Sequence, residues 1–168
     1  MALPRKLKNF AWFVDGTSYV GQAAEIVLPK LTRKMEEFRA AGMNGPIKDD
    51  MGMNGLEMEA TTAFAADFYR QFGHPKADGV LWRFTGAWQR PDTGEVTAVE
   101  VVARGRYEEL DNGTAKAGDD APLKVKMTMS YYKLVIDGST ELEIDLANFV
   151  EMVGGVDRLA EQRAALGI

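Results

Sequence analysis

Two stretches of this chain, Glu95 to Leu110 and Leu123 to Asp137, alternate apolar and polar residues for longer than an ordinary strand runs. Strands in globular proteins average about 5–6 residues, so these stretches are candidates for elongated strands that leave the body of a single domain. In the first, Val99, Val101, Ala103 and Tyr107 share one face, while Glu100, Arg104, Arg106 and Glu108 share the other; this is the two-residue period of a half-buried strand. In the second, Leu123, Val125, Met127 and Met129 oppose Lys124, Lys126, Thr128 and Ser130. After Tyr131 the phase changes and Tyr132, Leu134 and Ile136 become the apolar set, which predicts a bulge or a switch of sheet. The loop DNGTAKAGDDAP separates the two stretches. Long strands have long edges, and edges that are neither covered nor closed pair without control. Joining the sheets of several subunits into one barrel closes them by assembly.

The rest of the chain also reads mainly as strands. Phe10, Trp12 and Val14 alternate into Asp15-Gly16, a hairpin turn, and Tyr19 to Leu28 continues as the returning extended segment. Leu56, Met58 and Ala60 alternate with Glu57, Glu59 and Thr61. Val80, Trp82, Phe84 and Trp88 share a face before the turn Pro91-Asp92-Thr93-Gly94, and Asp137-Gly138 forms a further hairpin into Glu143-Ile144-Asp145. Three helical readings break the pattern. Phe64, Phe68 and Phe72 fall at helical spacing and read as a packing stripe stopped by Gly73 and Pro75. Phe149, Val150 and Val153 form a short helical stripe broken by Gly154-Gly155. Val156, Leu159 and Leu166 mark a last helix, with Asp157 and Arg163 suiting its dipole and Gly167 ending it.

The segment from Leu28 to Gly45, LPKLTRKMEEFRAAGMNG, fits neither pattern well. Leu28-Pro29 ends the preceding strand, because proline has no donor for a ladder. A run of charges from Lys30 to Arg39 follows, interrupted by Leu31, Met35 and Phe38, and the turn signal Asn44-Gly45-Pro46 closes it. Two readings stand: a short amphipathic helix with Leu31, Met35 and Phe38 as its stripe, or an arm that reaches a neighbouring subunit.

Chemistry is sparse. His74 is the only histidine and lies between Gly73 and Pro75, where capping a loop or facing solvent outweighs acid–base work. With no cysteine in 168 residues, disulfides, thiol catalysis and thiolate metal sites are excluded, which fits maturation in a reducing cytoplasm. The carboxylate pairs Asp49-Asp50 and Glu108-Glu109 are adjacent on extended segments and so point apart, while Asp119-Asp120 belongs to a loop. Gly42, Gly45, Gly52 and Gly55 lack the lysine and the strand-to-helix context of a phosphate cradle. A net charge of -5 argues against tight nucleic-acid binding. No apolar run is long enough to span a bilayer, and the basic N-terminus lacks the apolar core of a signal peptide. The expectation is therefore a non-enzymatic protein with no cofactor, metal or membrane anchor; a small-molecule-binding β-barrel is the alternative from a different class.

Several motifs taken together carry a resemblance. The opening MALPRKLKNF, the Leu28–Gly45 segment, the pair Arg104-Gly105, the run SYYKL leading to Asp137-Gly138, the EID at 143–145 and the closing GVDRLAEQRAALG are similar to the major tail tube proteins of contractile-tailed bacteriophages and the related tubes of R-type bacteriocins. The resemblance covers essentially the whole chain; Phe38 stands where a tyrosine is common, and Ala41 where glycine often sits.

The fold that this resemblance implies is mainly β with short α-helices (α+β): an antiparallel β-sandwich or barrel in a single domain over 1–168, with an arm at about 29–46. Sheets of neighbouring subunits would join into a large barrel, as homo-hexameric rings that stack into a tube. The implied role is a structural subunit of the inner tail tube, which conducts DNA into the host, or the tube of a bacteriocin or secretion-type injection machine. The implied partners are further copies of the chain, the tail sheath, tape-measure, baseplate and tail terminator proteins, and DNA only in transit. The implied location is the virion, after assembly in the host cytoplasm. Subunit-interface candidates are Pro29, Lys30, Leu31 and Met35, together with Glu36, Phe38, Arg39 and Met43. The polar faces of the long strands supply the lumen candidates Glu100, Arg104, Arg106, Glu108, Lys124 and Lys126, with cross-strand carboxylates needed to offset the lysines.

Overall fold

The computed structural model describes residues 1–168. Its frame is the antiparallel pair β8 (Val96–Asp111) and β9 (Leu123–Ile136), of 16 and 14 residues, hydrogen-bonded from Val99↔Ile136 to Asp111↔Lys124. The expected phase change has a local cause. Arg104 faces Tyr131 while Gly105 faces Met129, so Ser130 is an extra residue that bulges out of the ladder. Only glycine fits opposite this bulge, because a Cβ on Gly105 would lie 2.1 Å from the Thr128 carbonyl oxygen. The carbonyl of Ser130 accepts a hydrogen bond from Leu146 N at 2.9 Å, so it is not left unpaired.

At the bulge β9 also changes partner. Leu123–Met129 pairs with β6 (Leu56–Thr62), and Tyr131–Ile136 pairs with β10 (Ser139–Asp145). The bulge and the switch of sheet are thus one event, and they divide the ten-stranded sheet into two halves. One half runs β3 (Ala23–Val27), β6, the start of β9 and the end of β8. The other runs β1 (Lys6–Val14), β7 (Val80–Gln89), the start of β8, the end of β9, β10, β11 (Val150–Val153) and β12 (Val156–Asp157). Both halves turn their apolar faces to one core: Leu56, Met58, Val125 and Met127 from the first meet Trp12, Trp82, Phe84 and Val101 from the second. Phe68 of α1 (Ala66–Gln71) caps this core, stacked on Trp12 at 5.7 Å and close to Tyr107.

The mainly β fold with short helices agrees with the sequence reading, and so do the long strands. The turns at Asp15-Gly16 and Asp137-Gly138 agree as well, with positive φ at both residues of each, the geometry a two-residue hairpin loop requires. Four local readings need correction. The returning strand after Asp15-Gly16 is only β2 (Thr17–Ser18), because Tyr19 drops into the core beside Trp12 and the turn at Gly21 sends β3 across to β6. Of the phenylalanine stripe, Phe68 alone is buried; α1 is too short to hold Phe64 and Phe72, which are 73% and 55% exposed. The stripe at Phe149, Val150 and Val153 is not helical. Val150–Val153 is strand β11, and Gly154-Gly155 forms its hairpin turn to β12 with both φ positive. Last, the segment containing Leu31, Met35 and Phe38 is not a helix: Arg33–Phe38 forms β4, paired with β5 (Ile47–Met53) as a separate two-stranded sheet. The final helix, α2 (Ala160–Leu166), ends at Gly167 in the left-handed conformation, as expected, but it begins later than the Val156, Leu159 and Leu166 spacing predicts: Val156 and Asp157 are taken into β12, Leu159 is the N-cap, and Asp157 meets Arg163 as an ion pair from outside the helix.

Candidate functional site

The β4–β5 hairpin stands apart from the main sheet because its side chains have little to bury against. Met35, Phe38, Ile47 and Met51 are all about half exposed. Phe38 and Ile47 face each other across the pair, while Glu36 lies directly opposite Asp49, a like-charge pairing that weakens a sheet. A two-stranded hairpin of this kind is marginal alone. Its root is held by Arg33. The Arg33 Nε donates to both carboxylate oxygens of Asp50, at 3.0 and 2.8 Å, and its Nη1 donates to Glu151 of β11. Glu151 is buried on the core-side face of β11, opposite Ile144. The Arg33 hydrogen bond holds the Asp50 carboxyl below the usual carboxylate range, and the guanidinium is raised in turn. Sequence reasoning missed this trio. A glutamate inside the apolar run VEMV was the available signal, since such a carboxylate is rarely buried unless paired.

The interface candidates fall along this hairpin. Pro29, Lys30 and Leu31 lie in the extended connection before β4; Met35, Glu36 and Phe38 lie on β4; Arg39 and Met43 lie in the tip loop, where the Met43 sulfur accepts from Ala40 N at 3.2 Å. Between the hairpin root, β10, β11 and α2 runs a cleft of about 330 Å³ lined by Met53, Ile144, Phe149 and Leu159.

The bulge divides the lumen candidates. Arg106, Glu108, Lys124 and Lys126 share the polar face of the four-stranded half. Lys126 sits between Glu57 at 3.3 Å and Glu108 at 3.9 Å, and Thr128 donates to Glu108 at 2.7 Å. The bond to Glu57 raises the Lys126 ammonium. Cross-strand carboxylates therefore do face this lysine. Glu100 and Arg104 lie beyond the bulge, where Glu100 pairs with Arg83 at 3.1 Å and Arg104 is opposite Tyr131. On the same face as Lys124 and Lys126, Glu25, Glu57, Glu59, Glu108, Glu109 and Asp111 outnumber the cations; Glu108 and Glu109 do not point apart as strand neighbours should, because a second bulge between Tyr107 and Glu109 brings both to this face.

The remaining polar groups are structural. His74 Nδ1 accepts from Lys76 N at 3.2 Å, a loop cap. Asp49 and Asp50 are successive residues of β5 and point apart, and Asp119 and Asp120 lie in the loop before β9. The model of the phage tail tube protein FII family matches residues 4–167. The chain belongs to that family. The tail tube protein of Escherichia phage P2 is 44% identical over 172 residues, covering the whole of both chains. The major tail tube protein of Serratia phage KSP20 is 37% identical over 150 residues, covering 89% of this chain and 88% of the relative. Among solved structures, a sheath/tube terminator of an extracellular contractile injection system has a TM-score of 0.59 at 10% identity, covering 79% of this chain and 96% of the other. A sheath–tube complex of the same kind of system gives 0.57 at 12% identity, covering 79% and 90%. At such identities the structural match reports the fold. Family membership makes the chain a structural tail tube protein, a component of the phage tail, and places it in no enzyme family.

Proposed function

We propose that this tube subunit acts as one domain carrying a hairpin arm, that six copies form a ring, and that rings stack into a hollow tube that conducts DNA. A tape-measure protein would set its length, baseplate and terminator proteins would bound it, and a contractile sheath would surround it; the solved relatives include a sheath–tube complex. Assembly in the host cytoplasm fits a chain without cysteine. The observation that carries this reading is an open antiparallel sheet with one strongly polar face, joined to a hairpin whose apolar side chains are exposed within the monomer. The polar face of the four-stranded half would line the channel, where its excess of carboxylates keeps phosphates from settling on Lys124 and Lys126. The hairpin would reach the neighbouring ring.

Two experiments test this. Electron micrographs of concentrated purified protein should show six-fold rings and tubes, and a protein that stays monomeric at every concentration ends the proposal. Replacing Leu31, Met35 and Phe38 by serine should leave a cooperative unfolding transition, because these side chains are about half exposed and lie outside the core cluster, while abolishing stacking. Loss of the fold itself would make them core residues of the monomer.

A further inference from the structure

Asn44, Asn54 and Asn112 are each followed by glycine. An Asn-Gly step is chemically labile, because glycine has no side chain to shield its backbone nitrogen from the amide before it. The fold treats the three sites differently. At Asn112 both reacting groups are held: the side-chain oxygen accepts from Tyr69 of α1, and Gly113 N donates to Asp111 Oδ1 at 2.8 Å. Asn54 and Gly55 alone join β5 to β6, Asn54 N donates to the Thr32 carbonyl at 2.9 Å, and the adjoining Leu56 is fully buried. Asn44 has neither kind of restraint. It is exposed at the tip of the β4–β5 hairpin, where Met43 N donates to the Ala40 carbonyl at 3.2 Å but neither the Asn44 side chain nor Gly45 N makes a hydrogen bond. Pro46 has no N–H to anchor the stretch, and no atom lies within 4 Å of where a Cβ on Gly45 would stand.

We propose that Asn44 is a modification site at which the unassembled subunit deamidates spontaneously. Gly45 N gives up its proton and attacks Asn44 Cγ. The new C–N bond closes a five-membered succinimide as the Cγ–Nδ2 bond breaks, and the nitrogen leaves as ammonia with the proton returned. Water then adds to either ring carbonyl and opens it, giving aspartate, or isoaspartate with the chain routed through the β-carbon. Water is the only co-reactant. Each event adds a negative charge to a hairpin that already sets Glu36 against Asp49, and isoaspartate also lengthens the backbone at its tip. The consequence for assembly rests on the arm reading above: an aged hairpin docks poorly, whereas a tip covered by the neighbouring ring is held out of the attack geometry. Deamidation thereby retires subunits left unassembled.

Full-length protein kept dilute at mildly alkaline pH and then digested with trypsin separates the sites, because peptides 40–48, 49–70 and 107–116 contain one each. Aspartate and isoaspartate, read by mass and retention, should accumulate in 40–48 several-fold faster than in the other two. Gly45→Ala should slow this several-fold without strain, since Gly45 lacks a positive φ and has open space for a Cβ. Asp111→Ala, which frees Gly113 N, should raise the rate in 107–116. Equal rates at the three sites of the folded protein, or no effect of Gly45→Ala, overturn the site. Asn44→Asp should keep the unfolding midpoint yet yield fewer tubes; normal tubes from it overturn the link to assembly. Stacking by the variant with serine at Leu31, Met35 and Phe38 would instead end the arm reading, with the peptide measurements unaffected.

Discussion

At the residue scale, the bulge opposite Gly105 sets the geometry of the whole sheet. Gly105→Ala would place a methyl group 2.1 Å from the Thr128 carbonyl, and backbone cannot yield as a flexible side chain does. The substitution is expected to cost about 1–3 kcal/mol, the range for overpacking, read as a lower denaturation midpoint at unchanged slope; an unchanged midpoint would mean that the bulge does not need glycine. The three phenylalanines near α1 offer a second contrast. Phe68 is fully buried among Trp12, Tyr19 and Tyr107, so Phe68→Ala should cost about 3–5 kcal/mol. Phe64→Ala and Phe72→Ala should each stay within about 0.5 kcal/mol, because their rings are mostly in solvent. Equal losses at all three in thermal or chemical unfolding would restore the helical stripe.

At the element scale, the hairpin is a marginal sheet tethered by one guanidinium. Asp50 titrates below its ordinary value of 3.8 because Arg33 holds it, with the backbone N–H of Gly52 adding to the effect. A carboxyl depressed by folding contributes stability above its unfolded value, and that contribution is lost as pH falls through the folded value. The tether should therefore hold at neutral pH and weaken only below 3.8. Hydrogen exchange of β4 and β5 amides should accelerate over that acid range while β8 and β9 remain protected. Arg33→Gln should remove the pH step, giving a hairpin that is loose throughout. A hairpin equally protected across the acid range would show that its own pairing, with Phe38 against Ile47, suffices.

For the whole molecule, charge on the two sides of the bulge has different consequences. Glu57 and Glu108 flank Lys126 on the four-stranded half, whereas Glu100 pairs with Arg83 on the other. Exposed pairs of this kind contribute at most about 1 kcal/mol to folding, so charge reversal should spare the subunit. On the proposed reading that the four-stranded half lines a DNA channel, particles whose tubes carry Glu57→Lys and Glu108→Lys are expected to keep normal length but release DNA slowly, more so at low salt than at high salt, as counterion release requires. Glu100→Lys particles should release DNA at the normal rate. Ejection kinetics at two ionic strengths check both, and slow release from Glu100→Lys particles alone would move the channel lining across the bulge.

Periodicity in the sequence determined the long strands, their buried faces and the phase change at Tyr131, because a two-residue alternation records which side of a strand is dry. Asp15-Gly16 and Asp137-Gly138 were legible for a related reason: few residues tolerate positive φ in succession. The motifs shared with tail tube proteins, from MALPRKLKNF to GVDRLAEQRAALG, were legible as a family likeness along the whole chain. Partners across the sheet were not. Whether β3 returns to β1 or crosses to β6 depends on Tyr19 packing against Trp12, a contact that local pattern does not encode. The spacings of Phe64, Phe68 and Phe72, and of Phe149, Val150 and Val153, suit a helix. Their state was decided by what the core could cover and by two glycines able to turn a strand. Arg33, Asp50 and Glu151 are far apart in the chain, and only tertiary structure, by bringing β11 beside the hairpin root, makes them one tether. Local dihedral preference and burial period are written residue by residue; pairing of distant strands and compensation of a buried charge arise only once the chain has closed on itself.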